Sequence, residues 1–472
     1  MRERPFFMKL PSLASVVVLL LSLPLASPSL AKAPAYGPGR PQACDYVFST
    51  KTGSHDLGLP REDYDFLSEV DESKSYGMED TEVFDQGSYG CCWITQEAGK
   101  ICHACAGIGK KIRPVDTYLA SMSIIERALK APVSRELIGQ GGNVPYAISL
   151  VNRYGIIPEG ALVETAEGLK PWRPIVDFQK GQNGARLIEG VNMKLTEYYD
   201  RTNDIVEELE KKISRSFFSS RKSVTAKYFK ENPAKKKILE DALISYENAV
   251  LKFLLETIGD IPKNFVYEGK VYTPLEFLRE NVPSQTLDMT LVLPKRAGRE
   301  IPTIGQPYMV SPKGWENPND IEEQAWTSLA GFEKDQSWSN IDDAIEKSLR
   351  QNPPVPVSFG IQIKDSLIDT ERGYISIDAF AQYPGFREEV QRMAAAIPSF
   401  SDGGHAILIT KIYRNKAGQT IGYRIQNSWG TMTKSGKKVG DRGYFIMDAA
   451  YMQTFSPIFF FQKGIYDAKP LK

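Results

Sequence analysis

Gln86-Gly87-Ser88-Tyr89-Gly90-Cys91-Cys92-Trp93 decides the reading of this chain. A turn-forming run ends at a thiol, and that thiol stands where the spacing predicts a helix to begin. The first turn of a helix carries N–H groups that the helix itself does not satisfy, and the positive end of its dipole. Both favour thiolate over thiol. Gln86 sets an amide six residues before Cys92. Together with the Cys92 backbone N–H it makes a donor pair for the oxyanion that forms when a thiolate attacks a carbonyl. The stretch contains no base, so the rest of the chain must supply one.

The chain has three histidines. His55 lies in a polar, glycine- and proline-bearing stretch near the N-terminus. His103 follows Cys92 by eleven residues on what reads as one helix, a rise of about 16 Å, too far for a hydrogen bond to the thiol. His405 opens Gly403-Gly404-His405-Ala406-Ile407-Leu408-Ile409-Thr410, an apolar run with strand character that would project the ring from a rigid edge. A third group has to hold the imidazole in one tautomer. Asn427, in Ile425-Gln426-Asn427-Ser428-Trp429-Gly430, offers a carbonyl oxygen for the ring N–H, and Trp429 can shield that bond from water.

Gln-x5-Cys-Trp, Gly-His-Ala and Asn-Ser-Trp-Gly, in that order, resemble the papain-like cysteine peptidases. The resemblance implies Cys92 as nucleophile, His405 as general base and acid, Asn427 as its orienter and Gln86 as oxyanion donor. Gly440-Asp441-Arg442-Gly443-Tyr444-Phe445 is similar to the turn and strand after the asparagine motif, with a longer connection from Gly430. Gly404 stands where many relatives carry Asp or Asn, and Tyr89 where many carry a disulfide cysteine. Gly141-Gly142, with the helical Tyr146–Tyr154 stretch after it, resembles the glycine-bearing substrate cleft. The implied substrate-binding residues are Trp93, Gly141, Gly142 and Trp429. Pro353–Gly360 resembles the strand before the histidine hairpin.

Thr273-Pro274-Leu275-Glu276-Phe277, after a long helical stretch, is similar to the bleomycin hydrolase and aminopeptidase C branch. The resemblance runs from about residue 80 to 465. It implies an α+β papain-like fold of two parts, a helical half and an antiparallel β-rich half, with a large helical insertion. Members of that branch carry a C-terminal arm that reaches the cleft and makes them aminopeptidases. Here only Gln462 to Lys472 follows the last strand-like run, so the choice between endopeptidase and aminopeptidase stays open.

The chain divides by composition. Residues 1–31 show the pattern of a secretory signal: Arg2, Arg4 and Lys9, then an apolar core around Val16–Leu21, then Ser29-Leu30-Ala31. That pattern predicts a secreted or periplasmic protein. Residues 32–80 read as an N-terminal linker or leader, 81–190 as the helical half with the nucleophile, 191–300 as the helical insertion, and 301–472 as the β-rich half with His405 and Asn427. In the insertion, Leu239, Ala242, Leu243, Tyr246, Val250, Phe253 and Leu254 form one apolar stripe, which suits core or subunit packing. Gly259 fits a helix C-cap, and Thr273-Pro274 an N-cap followed by proline at the first helical position.

The 58 basic and 58 acidic residues balance, so composition calls for no nucleic acid and no charged membrane. The expected partner is a peptide or protein substrate; a homo-oligomer is left open. Residues 211–237 hold ten Lys/Arg and one Glu, which reads first as a solvated helical face. The chemistry implied by the resemblance needs no cofactor.

Five cysteines, Cys44, Cys91, Cys92, Cys102 and Cys105, leave two further readings open. Cys102-His103-Ala104-Cys105 is a single C-x-x-C that lacks two of the ligands a zinc site needs. Along an export route it could instead form a disulfide or serve a thiol redox protein. A non-catalytic papain-like binding protein is the other alternative, and an intact Cys/His/Asn set argues against it.

Overall fold

The computed structural model describes residues 63–86, 90–135, 137–161, 183–215, 221–259, 261–295, 329, 331–381, 386–395, 404–432, 436–455 and 458–465. The signal-like residues 1–31, Cys44, His55 and the C-terminal residues after 465 lie outside them. Among the described residues no helix is long and apolar enough to cross a membrane.

The helical half is built from α1 (Cys92–Gly107), α2 (Asp116–Ser134) and α3 (Val144–Tyr154). The Asn143 side chain caps α3 by accepting from Tyr146 N. Helix α1 is buried from Cys92 to Cys105. It therefore has no solvated face on which to leave its polar residues, and each of those has to find a partner inside. Three helices of the insertion follow, α4 (Asn183–Ser214), α5 (Arg221–Glu231) and α6 (Pro233–Ile258). The helical stretch thus opens at Asn183, eight residues before the expected boundary.

The apolar stripe of α6 is real. Leu239, Ala242, Tyr246, Val250 and Leu254 are buried, with Leu243 and Phe253 packed at the margin. Leu239 joins a small cluster with Ile205, Leu209, Tyr228 and Phe229, while the others join the main helical core. Gly259 closes α6 with φ of 75°, which suits glycine. The basic run is partly neutralised within the insertion by pairs such as Lys211–Glu207, Lys236–Glu240 and Lys235–Glu208. A short hairpin, residues 265–267 with 270–272, leads to α7 (Pro274–Asn281), whose Thr273 and Glu276 form a reciprocal capping box.

The sheet of the β-rich half has ten strands: β1 (Tyr76–Gly77), β4 (Met289–Pro294), β5 (Gly331–Gln336), β6 (Val357–Ile361), β7 (Ile368–Asp369), β8 (Tyr374–Ile375), β9 (His405–Arg414), β10 (Thr420–Gln426), β11 (Tyr444–Asp448) and β12 (Ile458–Gln462), the hairpin supplying β2 and β3. Its order is β5-β4-β12-β6-β9-β10-β11-β8-β7, with β1 added beside β9. The pairing is antiparallel except for β4 with β5 and β11 with β8. The expected insertion runs to residue 300, but its last described strand, β4, is part of this sheet.

Several central strands are buried on both faces, so they read as continuous apolar runs rather than alternating ones. Leu291, Leu293 and Phe460 face the helical core, while Val292, Phe459 and Phe461 face the second core behind the sheet. Among the described residues the β-rich half also carries helices α8 (Trp338–Leu349), α9 (Phe386–Ala395) and α10 (Ala449–Phe455), and all three contribute buried residues to that second core.

The described part of the leader does not behave as a linker. Residues 66–69 and 72–74 form two short 3-10 turns, and β1 pairs in register with Ile412 and Lys411 of β9. From there the chain runs along the β-rich half as a strap. Met78 N donates to Thr410 O at 3.0 Å, Thr81 N to the Tyr444 hydroxyl at 2.8 Å, and Gly430 N to Phe84 O at 3.1 Å. The strap delivers Gln86 to the front of the sheet.

Candidate active site

Cys92 is the first residue of α1, as the spacing predicts. The Cys91 carbonyl accepts from Ile94 N at 2.8 Å and Thr95 N at 3.0 Å, which starts the helix. Cys92 is buried, 5% exposed. Just before it, Gly90 N donates to Gln140 Oε1 at 2.8 Å. Just after it, the Trp93 indole N–H donates to the Gln140 carbonyl at 3.3 Å. One residue fifty positions away therefore holds both sides of the nucleophile turn.

Register brings His405 and Asn427 together. His405 is the first residue of β9 and pairs with Ile361 of β6. Strand β10 runs back along β9, with Ile425 opposite Ile409 and Gln426 opposite Leu408. The start of β9 and the end of β10 are thus neighbours, and Asn427 is the next residue after β10. His405 Nε2 and Asn427 Oδ1 are 2.7 Å apart. Since the amide oxygen only accepts, Nε2 carries the proton of this bond, and the neutral ring is left with Nδ1 as its basic nitrogen. The Trp429 ring stacks on the imidazole at 5.1 Å and 21° and meets Phe445 edge-on behind it. Asn427 Oδ1 also accepts from Ser428 N at 2.8 Å, while its buried Nδ2 has no hydrogen-bond partner.

Gln86 is buried and tied to the same loop. Its N–H donates to Ser428 O at 2.9 Å, and the Ser428 hydroxyl donates to its Oε1. An amide whose oxygen is occupied this way has its NH2 as the donor end. Ser428 is the site residue that sequence reasoning passed over, although it stands inside the quoted motif.

Gly141 and Gly142 differ in role. A Cβ on Gly141 would meet nothing within 4 Å, whereas one on Gly142 would lie 2.5 Å from Trp93 Cε2. Gly142 is thus required for the wall to approach the indole. Trp93 and Trp429 are buried, 1% and 4% exposed. Trp93 stacks on Tyr146 at 5.2 Å with the Arg127 guanidinium 5.3 Å from its ring, and Trp429 backs the imidazole. Both support the site from behind, and the exposed Gly141 is the member of the set that faces outward.

Residues 300–463 match the model of a Peptidase C1-like family. The crystal structure of PepW from Lactobacillus rhamnosis HN001 is similar at a TM-score of 0.50, with 18% identity over 83% of this chain and 82% of that chain. The fold is papain-like. The proform of the Amb a 11 cysteine protease, a ragweed pollen allergen, gives 13% identity over 82% of this chain and 64% of that one, but its TM-score of 0.29 carries no weight. No curated protein matches this chain.

Cys102 and Cys105 are free and buried on α1, so of the readings left open for this pair the structure shows two separate thiols. Cys102 packs with Phe84 and Ala98, and Cys105 lies 3.7 Å from the Asn281 carbonyl. Burial pushes both thiols up to about 12. A redox thiol needs exposure and thiolate character, and these have neither. Among the described residues no group of three His, Cys, Asp or Glu is placed to hold a metal ion.

His103 lies on α1 away from the thiol, as its spacing requires. Its Nε2–H is shared between Gln426 Oε1 at 2.8 Å and Thr81 Oγ1 at 3.1 Å. Burial pushes its pKa down to about 4, against smaller opposing effects from Gln426 and Asp80. Other polar residues of α1 are partnered in part, the buried Gln96 Oε1 having no hydrogen-bond partner. Gln96 Nε2 donates to Ser358 Oγ at 2.5 Å, and Lys100 pairs with Glu97 at 2.9 Å with neither side chain exposed.

Proposed function

We propose that the chain is an exported papain-like cysteine peptidase acting through Cys92, His405, Asn427 and Gln86. The observation that supports this most strongly is the 2.7 Å bond from His405 Nε2 to Asn427 Oδ1 beneath the Trp429 ring. It fixes the tautomer in which Nδ1 exchanges a proton with the thiol.

In this reading the Cys92 thiolate, stabilised by the α1 N-terminus and the His405 imidazolium, attacks the peptide carbonyl carbon. A C–S bond forms, and the carbonyl oxygen becomes an oxyanion held by the Gln86 amide and the Cys92 N–H. His405 gives its Nδ1 proton to the leaving nitrogen as the C–N bond breaks. The ring, neutral again, removes a proton from water, whose oxygen attacks the acyl-enzyme and releases the acid and the thiolate. The residues need no cofactor for these steps.

A stoichiometric burst with an electrophilic peptide ester tests the reading. The wild-type protein should show one acyl group per chain, and Cys92→Ala should show none. A burst that survives Cys92→Ala would contradict it. Parallel digestion of free-amine and N-blocked peptides separates an aminopeptidase, which cleaves only the former, from an endopeptidase. The export reading rests on the residue 1–31 pattern and predicts a mature N-terminus close after Ala31.

A further inference from the structure

We propose that His103, Gln426 and Thr81 form a buried polar node that positions the catalytic groups from the far side of the helix–sheet seam. The proposal rests on the catalytic reading above. Each member belongs to a different segment, and each segment carries one group of the site. His103 is on α1, which begins at Cys92. Gln426 is the last residue of β10, immediately before Asn427. Thr81 is on the strap, five residues before Gln86.

The node is closed on itself. His103 Nε2–H donates to Gln426 Oε1 and Thr81 Oγ1, and Gln426 Nε2 donates to Thr81 Oγ1 at 3.3 Å and to the Glu82 carbonyl at 3.4 Å. Both ends of the Gln426 amide are used. Gly99, one turn before His103, faces the same seam: a Cβ there would sit 3.3 Å from Leu408 Cδ1 and in ordinary contact with Gln426 Oε1 at 3.5 Å. An imidazole and an amide in a sealed seam cost desolvation that leucine or phenylalanine would not. What they add is direction, because hydrogen bonds fix distance and angle where apolar contacts allow sliding. Sliding along this seam would move Cys92 relative to Asn427 and Gln86, and misplacement of about 1 Å costs about 10²-fold in rate. His103 is therefore a positioning residue.

The test uses the full protein with His103→Phe, which keeps a ring and removes the donor, and His103→Gln, which keeps a donor. His103→Phe should lower kcat by about 10²-fold with KM unchanged, and shift upward the pH at which iodoacetamide alkylates Cys92. His103→Gln should restore most of kcat and the wild-type alkylation profile. Amide exchange at residues 82–86 and 427–430 should quicken in His103→Phe. Wild-type kcat and alkylation profile in His103→Phe, whatever its Tm, would overturn the proposal and leave the catalytic reading standing. Ordinary-thiol reactivity of Cys92 in the wild-type protein would overturn both.

Discussion

Gln86 and Ser428 are bonded twice, backbone N–H to backbone carbonyl at 2.9 Å and serine hydroxyl to amide oxygen. The second bond determines which end of the amide donates. Ser428 stands next to Asn427, so one loop residue holds the Gln86 amide while its neighbour holds the His405 ring.

This predicts a graded pair of effects. Gln86→Ala removes a donor and should lower kcat on the order of 10²-fold. Ser428→Ala leaves the donor present but free to rotate, and its loss should be smaller, about tenfold, with KM little changed. Steady-state kinetics on one peptide substrate measure both. Equal losses would mean that Ser428 acts on something other than Gln86.

Asn427→Ala should lower kcat on the order of 10²-fold, because the imidazole loses the acceptor that holds Nε2–H. Asn427→Asp keeps an acceptor and adds charge beside the ring. It should retain more activity and raise the upper pH limit of kcat/KM. A pH–rate profile for both variants checks this.

Gly142→Ala places a methyl 2.5 Å from the Trp93 ring, which is itself stacked on Tyr146. Overpacking of this kind costs about 1–3 kcal/mol. The variant should lose that stability in urea unfolding, while Gly141→Ala, whose Cβ meets nothing, should be near neutral apart from any effect on substrate binding.

His103 gives a pH dependence whose sign is fixed. Its folded pKa is about 4 against an ordinary 6.5, so the folded state binds fewer protons than the unfolded chain between those values. Its contribution is intact above pH 6.5 and lost as pH falls toward 4, a loss on the order of 3 kcal/mol at 1.36 kcal/mol per unit. Asp448 works in the opposite direction: burial raises it to about 6, and its contribution is lost as pH rises from 3.8 through 6. The wild-type curve sums these with other buried carboxylates raised in the same range, such as Asp116 to about 7 and Asp365 to about 6, so the informative quantity is the difference from His103→Gln. Urea unfolding at pH 4.5 and 7 should show wild type losing more stability than the variant on acidification.

The parts of the site that were legible in the sequence are those written locally. The helix start at Cys92, the strand opening at His405 and the Thr273 cap all depend on neighbours within a few residues. The pairing of His405 with Asn427 was legible through motif order, and the structure adds the register that accomplishes it. Gln140 was not legible, since its two bonds to the nucleophile turn cross fifty residues and leave no periodic trace. The pairing of β1 is not legible for a related reason: the strand is two residues long, and its partner in β9 is more than three hundred residues away. Trp93 and Trp429 enter the site through the resemblance, which carries no information on what their rings stack against. Their stacking partners Tyr146 and His405 became visible only with the fold.

The most direct measurement is the pH dependence of iodoacetamide alkylation, read by peptide mass. Burial holds Cys102 and Cys105 at about 12, and a thiol of ordinary pKa is almost wholly protonated in mild acid, so a thiol paired with His405 should react there first. The account predicts a single label on Cys92 that forms readily at pH 5 and slows in His405→Ala. A Cys92 rate that follows an ordinary thiol titration and is unchanged in His405→Ala would contradict it.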